Sequence, residues 1–177
     1  MENGLTAAPH TWTRILSLLV MSFLGFFAVP AGAGDFSVLL NGKAIHLDTK
    51  PGIQYNESNW GLGLQYDLAP VEEKWIPFVT ASGFKDSNKN MSYYAGGGLL
   101  HRTSFEWGKT PMHFDAGAIV FLMKRKGFEN GHLFPGLLPA VSLGTPKVSV
   151  NMTYIPKVDP KMVPILFFQL KITLGAF

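Results

Sequence analysis

From Lys147 to Tyr154 the chain alternates without a break: Val148, Val150, Met152 and Tyr154 lie between Lys147, Ser149, Asn151 and Thr153. From Leu166 to Leu174, Leu166, Phe168, Leu170, Ile172 and Leu174 alternate with Phe167, Gln169, Lys171 and Thr173. Period two places unlike side chains on the two faces of an extended strand. Between Met112 and Met123 the even positions stay mostly apolar. The odd ones open with His113, Asp115 and Gly117 and turn apolar at Ile119 and Phe121. Eight strands are predicted, at about 36–47, 61–69, 75–85, 91–103, 111–124, 136–145, 147–156 and 164–175. Turn clusters separate most of them, at Lys50-Pro51-Gly52, Pro70-Val71-Glu72-Glu73, Gly108-Lys109-Thr110-Pro111 and Val158-Asp159-Pro160-Lys161. Beyond the opening stretch there is no amphipathic helix, repeat or low-complexity tract.

The opening stretch differs. Arg14 precedes an apolar run from Ile15 to Val29, and Ala31-Gly32-Ala33 has the small-x-small form of a signal-peptidase site. Residues 1–33 read as a secretory signal peptide and 34–177 as one domain. The alternative is an uncleaved anchor, for which the run is short. Export permits disulfides, but the chain has no cysteine. The formal net charge of +3 is a mild excess that suits an anionic membrane surface better than nucleic acid, which is not expected as a partner.

An even number of strands of about ten residues, behind a signal peptide, fits an eight-stranded antiparallel transmembrane β-barrel, an all-β fold of the outer membrane. The terminal Phe177 suits such a barrel, although Gly175-Ala176 interrupts the alternation before it. A soluble lipocalin-like barrel has the same strand count with its apolar face inward, and alternation alone cannot distinguish the two. Strand length and the aromatics near strand ends (Trp60, Trp75, Trp107, Phe134, Tyr154) favour the membrane.

Four stretches carry a more specific likeness: Tyr55-Asn56-Glu57 with Trp60-Gly61, Phe84-Lys85-Asp86-Ser87, Leu137-Leu138-Pro139, and Met152-Thr153-Tyr154-Ile155-Pro156. From about residue 35 to its end the chain resembles the outer-membrane lipid A palmitoyltransferases, the PagP-type enzymes. The resemblance implies a monomeric barrel that moves a palmitoyl chain from a phospholipid to a hydroxyacyl chain of lipid A. The active site would face the cell exterior, with the acyl chain held inside the barrel. It implies no metal and no soluble cofactor. His101, His113 and His132 are not spaced as metal ligands, and His113 beside Asp115 reads as polar lumen.

The family's essential histidine and adjacent aspartate and serine fall on His46, Asp86 and Ser87. His46 ends the first predicted strand, and Asp86-Ser87 end the third, so all three reach one rim. A histidine near its working pKa can take a hydroxyl proton, an aspartate can orient the imidazole, and a serine can attack or donate a hydrogen bond. Neighbours on a regular strand face opposite ways, so Asp86 and Ser87 can both turn inward only if the strand has ended. Taken without the family, Asp86-Ser87 is a turn and His46 a rim residue. The resemblance also places the floor of the acyl pocket at Gly98, in Gly96-Gly97-Gly98. The alternative there is a bulge that bends the barrel. Pro139 and Pro156 lie in adjacent predicted strands and weaken their ladder, a lateral gate for lipid by resemblance. The family's second gate lacks its prolines here, with Asn59 before Trp60. The family's leading amphipathic helix is not expected. The cluster Lys124-Arg125-Lys126 is either a solvated periplasmic turn or an external patch for lipid A phosphates.

Overall fold

The computed structural model describes residues 34–48, 52, 54–157 and 163–176. The expected signal peptide and its cleavage site, the question of a leading helix, the 158–161 turn and Phe177 lie outside the described residues. Eight strands follow in order: β1 (Asp35–His46), β2 (Ser58–Asp67), β3 (Trp75–Lys85), β4 (Met91–Trp107), β5 (Thr110–Arg125), β6 (Leu133–Gly144), β7 (Val148–Ile155) and β8 (Ile165–Ala176). Each pairs antiparallel with the next, and β8 returns to β1 to close the barrel. Closure gives the backbone donors and acceptors partners without solvent, as a bilayer interior demands.

The strands match the predicted order, with differences at their ends. The β4–β5 ladder runs four residues beyond the predicted end of β4, to Trp107↔Thr110. Gly108 takes a φ of 66° in the tight turn that lets the two strands pair to their tips. From Thr103 to Trp107 the residues of both faces are exposed, so the alternation of burial fades there.

The sense of the alternation is now fixed. On β5 the even residues Val120 and Leu122 are exposed on the outer surface. The odd residues His113, Asp115 and Ile119 are buried in the lumen. Leu62 and Leu64 of β2, Leu137 and Leu143 of β6, and Val148 and Val150 of β7 are likewise exposed. Inside are Ser37, Gln65, Asp67, Thr80, Ser82 and Lys171. A soluble barrel would invert this, so the lipocalin-like alternative falls. Outward aromatics flank the apolar band: Trp60, Tyr93 and Tyr154 near one rim, Trp75, Phe105 and Trp107 near the other. Tyr93 and Phe105 share one face of β4. Their separation is about 40 Å along a strand and about 30 Å across a bilayer at a tilt of 35–45°.

The lumen has two regions. Toward the rim that carries the chain's Asp35 end, it is closed by charge: Arg102 holds Asp115 through two hydrogen bonds of 2.9 and 2.8 Å, and Lys171 pairs with Asp67. Toward the other rim the wall is apolar. Ala44, Phe84, Ile165 and Phe167 form one buried cluster, and Ile76, Phe78, Leu100 and Ile119 another. Hydrogen bonds from Asn41 to Ser82 (2.7 Å) and from Gln169 to Tyr94 (3.0 Å) tie the strands between them.

Candidate active site

β3 stops at Lys85, and the chain turns at once. The Asp86 N–H donates to the Asn90 carbonyl at 2.8 Å, and Lys89 takes a φ of 63°. Inside this turn the Asp86 carboxylate accepts from the N–H groups of Asn88 and Asn90, both at 2.9 Å, and from Ser92 Oγ at 3.1 Å. Arg125 Nε lies 3.3 Å from its second oxygen. Even positions of β3 face the lumen, so Asp86 continues the inward register, while Ser87 is turned inward by the break in the strand. Both side chains are thereby buried.

His46 Nε2 and Ser87 Oγ are 3.0 Å apart. The imidazole stacks on Tyr55, with ring centroids 4.4 Å apart and planes 14° from parallel. Its Nδ1 is buried without a hydrogen bond, and Glu57 Oε1 stands 3.8 Å away, an ion-pair distance rather than a hydrogen bond. The structure thus joins His46 to Ser87. The Asp86 carboxylate meets its own turn, Ser92 and Arg125, and the group beside Nδ1 is Glu57.

The segment from Tyr55 to Asn59 clamps the two halves together. Asn56 N–H donates to the Ser87 carbonyl at 2.9 Å, and its side-chain amide donates to the carbonyls of Asp86 (3.0 Å) and Ser58 (2.9 Å). Asn59 Nδ2 donates to the Lys85 carbonyl at 2.7 Å. On the outside, Lys43 Nζ and Glu57 Oε2 are 3.3 Å apart, with side chains 62% and 40% exposed. Such a pair does not face hydrocarbon, so it marks the edge of the apolar belt, and His46 lies beyond it toward solvent. The hydrogen bond from Lys43 holds the Glu57 carboxyl below the usual range. Burial pushes His46 below its ordinary value, and the Glu57 charge opposes part of that shift.

Beneath the pair lies a cavity of about 730 Å³, lined by Asp86, Ser87 and Arg125 near the rim and by Phe78, Leu100 and Ile119 further down. Its size falls in the usual range for small-molecule sites, and its wall is mostly apolar. The wall also includes Leu133 and Leu137, which are 66% and 67% exposed on the outer surface. The cavity therefore reaches the barrel's side. There the β6–β7 ladder holds only the five pairs from Ala140↔Thr153 to Gly144↔Ser149, while β5 pairs with β6 as far as Leu133. Pro135 and Pro139 have the same parity, so their missing N–H groups fall on the β7 side. Pro156 follows the end of β7. Between β1 and β2 pairing continues past a bulge to Lys43↔Ser58, and Ala44 N–H bonds the Glu57 carbonyl at 3.0 Å. Gly98 faces the lumen opposite Phe78 and is not part of the cavity wall. Arg125 meets Asp86, which places Lys124-Arg125-Lys126 at the rim of the site, with Lys124 and Lys126 exposed.

Sequence reasoning missed Asn56, Glu57, Asn59, Ser92 and Arg125 as parts of this site. Tyr55-Asn56-Glu57 carried a signal only as a motif. Arg125 was visible only as part of the Lys124-Arg125-Lys126 cluster, and its pairing with Asp86 was not, because that partner is remote in sequence.

Apolar outside, polar at one end of the lumen and hollow at the other, with an imidazole and a hydroxyl at the mouth of the hollow: these features define a β-barrel of the membrane type with an apolar cavity open near one rim. Comparison with known proteins narrows the class. The chain belongs to the PagP family, described as "Antimicrobial peptide resistance and lipid A acylation protein PagP", which it matches over residues 43–171. It is 30% identical over 105 residues to the lipid A acyltransferase PagP of Methylobacillus flagellatus, covering 58% of this chain and 53% of that protein. It is 31% identical over 104 residues to the lipid A acyltransferase PagP of Bordetella pertussis strain Tohama I, covering 58% and 54%. The match thus spans about half the length of these curated relatives. Among solved structures, Neisserial surface protein A is similar with a TM-score of 0.49 at 13% identity, over 82% of this chain and 97% of that one.

Proposed function

We propose that the protein is an outer-membrane lipid A acyltransferase that moves a palmitoyl chain from a phospholipid to a hydroxyacyl chain of lipid A. The observation that carries the reading is the 3.0 Å contact between His46 Nε2 and Ser87 Oγ at the mouth of an apolar cavity. Family membership and the names of the relatives support the same chemistry.

In this reading Ser87 Oγ attacks the ester carbonyl carbon of the phospholipid and gives its proton to His46 Nε2. The tetrahedral adduct collapses, the ester C–O bond breaks, and His46 returns the proton to the departing alkoxide. The acyl-serine then meets a lipid A hydroxyl. His46 takes that proton as the new ester forms, and passes it to the released Ser87 oxygen. The ionised Glu57 favours the imidazolium formed in each half, from 3.8 Å. Asp86 acts as a positioning residue: its four contacts hold the turn that aims Ser87. The unpaired stretch of β6, with Pro139 and Pro156 at the end of the ladder, serves as the lateral way in for an acyl chain from the bilayer. Lys124 and Lys126 face the phosphates of the acceptor. With β8 returning to β1 to close the barrel, the enzyme is read as working as a monomer.

The test is mass spectrometry of lipid A after incubation with the purified barrel and a defined phospholipid. Gain of one palmitoyl unit, lost in His46→Ala and Ser87→Ala while both remain folded, is the expected result. Loss of an acyl chain from lipid A would assign a deacylase instead. No change in lipid A would leave a lipid-binding barrel without catalysis.

A further inference from the structure

Arg125 is the last residue of β5, and among the residues that line the cavity it is the only lysine or arginine. Odd positions of β5 face the lumen, so parity turns Arg125 inward while Lys124 and Lys126 stay exposed. Its cross-strand partner is Ser92, whose hydroxyl donates to Asp86 Oδ2, the same oxygen that Arg125 Nε approaches to 3.3 Å. That approach is an ion pair, and among the described residues no hydrogen bond takes up the guanidinium N–H groups. Asp86 does not need them, because its carboxylate already accepts from Asn88, Asn90 and Ser92. The Arg125 side chain is 20% exposed. A fork of five donors thus stands at the mouth of an apolar cavity with donors to spare. The same rim carries Lys85, Lys89, Lys124 and Lys126. Against them stand Glu129, which also lines the cavity, and Glu57, which is paired with Lys43. The mouth favours an anion.

We infer that Arg125 binds the phosphodiester of the donor phospholipid and makes the site selective for phosphoglycerides over uncharged acylglycerols; this deepens the acyl-transfer reading above and rests on it. With the ester carbonyl at Ser87 and the acyl chain below, the phosphorus of the same molecule lies about six bonds away. At about 1.2 Å per bond that is about 7 Å at full stretch. Asp86 is the neighbour of Ser87, and Arg125 stands against the Asp86 carboxylate, so the guanidinium is in the region the phosphate reaches. Nε stays on Asp86 while the two outer nitrogens present parallel N–H groups to two phosphate oxygens, a geometry that suits a guanidinium. An ammonium, a single point charge, cannot serve the carboxylate and the phosphate with the same fork.

The experiment uses wild type, Arg125→Gln and Arg125→Lys in dodecyl maltoside micelles, which carry no phosphate. One readout is transfer to lipid A from dipalmitoylphosphatidylcholine and from dipalmitoylglycerol, which share their acyl chains. The other is calorimetric binding of hexadecylphosphocholine and of hexadecanol, which have no ester bond and need no catalysis. Circular dichroism confirms the fold, and Arg125→Lys keeps the test open if the glutamine variant does not fold. Loss of the contact with Asp86 should slow transfer from both donors. The ratio of their kcat/KM values should also fall by about tenfold to a hundredfold in Arg125→Gln, mainly through KM, and by less in Arg125→Lys. Hexadecylphosphocholine binding should weaken relative to hexadecanol by a similar factor. A ratio within twofold of wild type in folded Arg125→Gln overturns the inference, leaves acyl transfer standing and reduces Arg125 to a support for Asp86. An unmoved ratio with a raised KM for lipid A assigns the arginine to the acceptor's phosphates and also overturns it. Selective loss of hexadecylphosphocholine binding, with no transfer from either donor by wild type, keeps the phosphate site and overturns the enzyme reading.

Discussion

Asn56 makes no contact with the His46 ring nitrogens, yet its loss should lower turnover. Its side-chain amide donates to the Asp86 and Ser58 carbonyls at 3.0 and 2.9 Å, and its backbone N–H donates to the Ser87 carbonyl at 2.9 Å. Asn56→Ala removes the first two bonds and leaves the third. Each neutral hydrogen bond contributes about 0.5–1.5 kcal/mol net, and the half-buried setting lets water take over part of it. The local loss is then about 1–2 kcal/mol, borne by the turn rather than by the strand ladders. If the turn holds Ser87 against His46, about 1.4 kcal/mol of loosening lowers the productive population, and the rate, about tenfold. Displacement of the serine by about 1 Å would extend that toward a hundredfold. Asn56→Asp should be worse than Asn56→Ala, because its carboxylate oxygens would face the same carbonyl oxygens. The assay is the initial rate of acyl transfer to lipid A in bilayers, with thermal unfolding of the same samples. A kcat within twofold of wild type in Asn56→Ala, or an aspartate variant faster than the alanine one, would refute the clamp. So would a rate loss matched by unfolding of the whole barrel.

Two further predictions concern the charge beside the histidine and the outer face. Glu57→Gln removes the negative charge 3.8 Å from His46 Nδ1, so the imidazolium is less favoured. The acid limb of the pH–rate profile should move to lower pH, because the charge that opposes the effect of burial on His46 is gone; a limb that stays in place would remove Glu57 from the mechanism. Val120→Arg puts a charge on the lipid face near mid-belt and should cost about 2–4 kcal/mol in reversible folding into vesicles. A cost near zero would mean that this face does not meet hydrocarbon.

The strands were legible because a pleated strand writes its two faces into the sequence with period two. The even and odd residues of β5 show how far that goes. His113 and Asp115 give way to Ile119 and Phe121 on one face, and in the barrel this is the level at which the charged lumen yields to the cavity. The His46 and Ser87 positions were legible by family likeness and strand counting. Their 3.0 Å contact was not, because it depends on where β3 ends and on a clamp from the β1–β2 connection. Gly98 shows the limit from the other side: the glycine was visible in the sequence, while the Phe78 ring over it comes from β3, twenty residues away.

Alternation along a strand is local, so the sequence alone determined an eight-stranded antiparallel sheet with unlike faces and with His46, Asp86 and Ser87 at strand ends. Which face looks outward, which residue stands beside His46 Nδ1, where the β6–β7 ladder opens and how deep the cavity runs were decided only by the closed barrel. Each depends on side chains that closure brings together from strands remote in sequence, and a period of two carries no information about them.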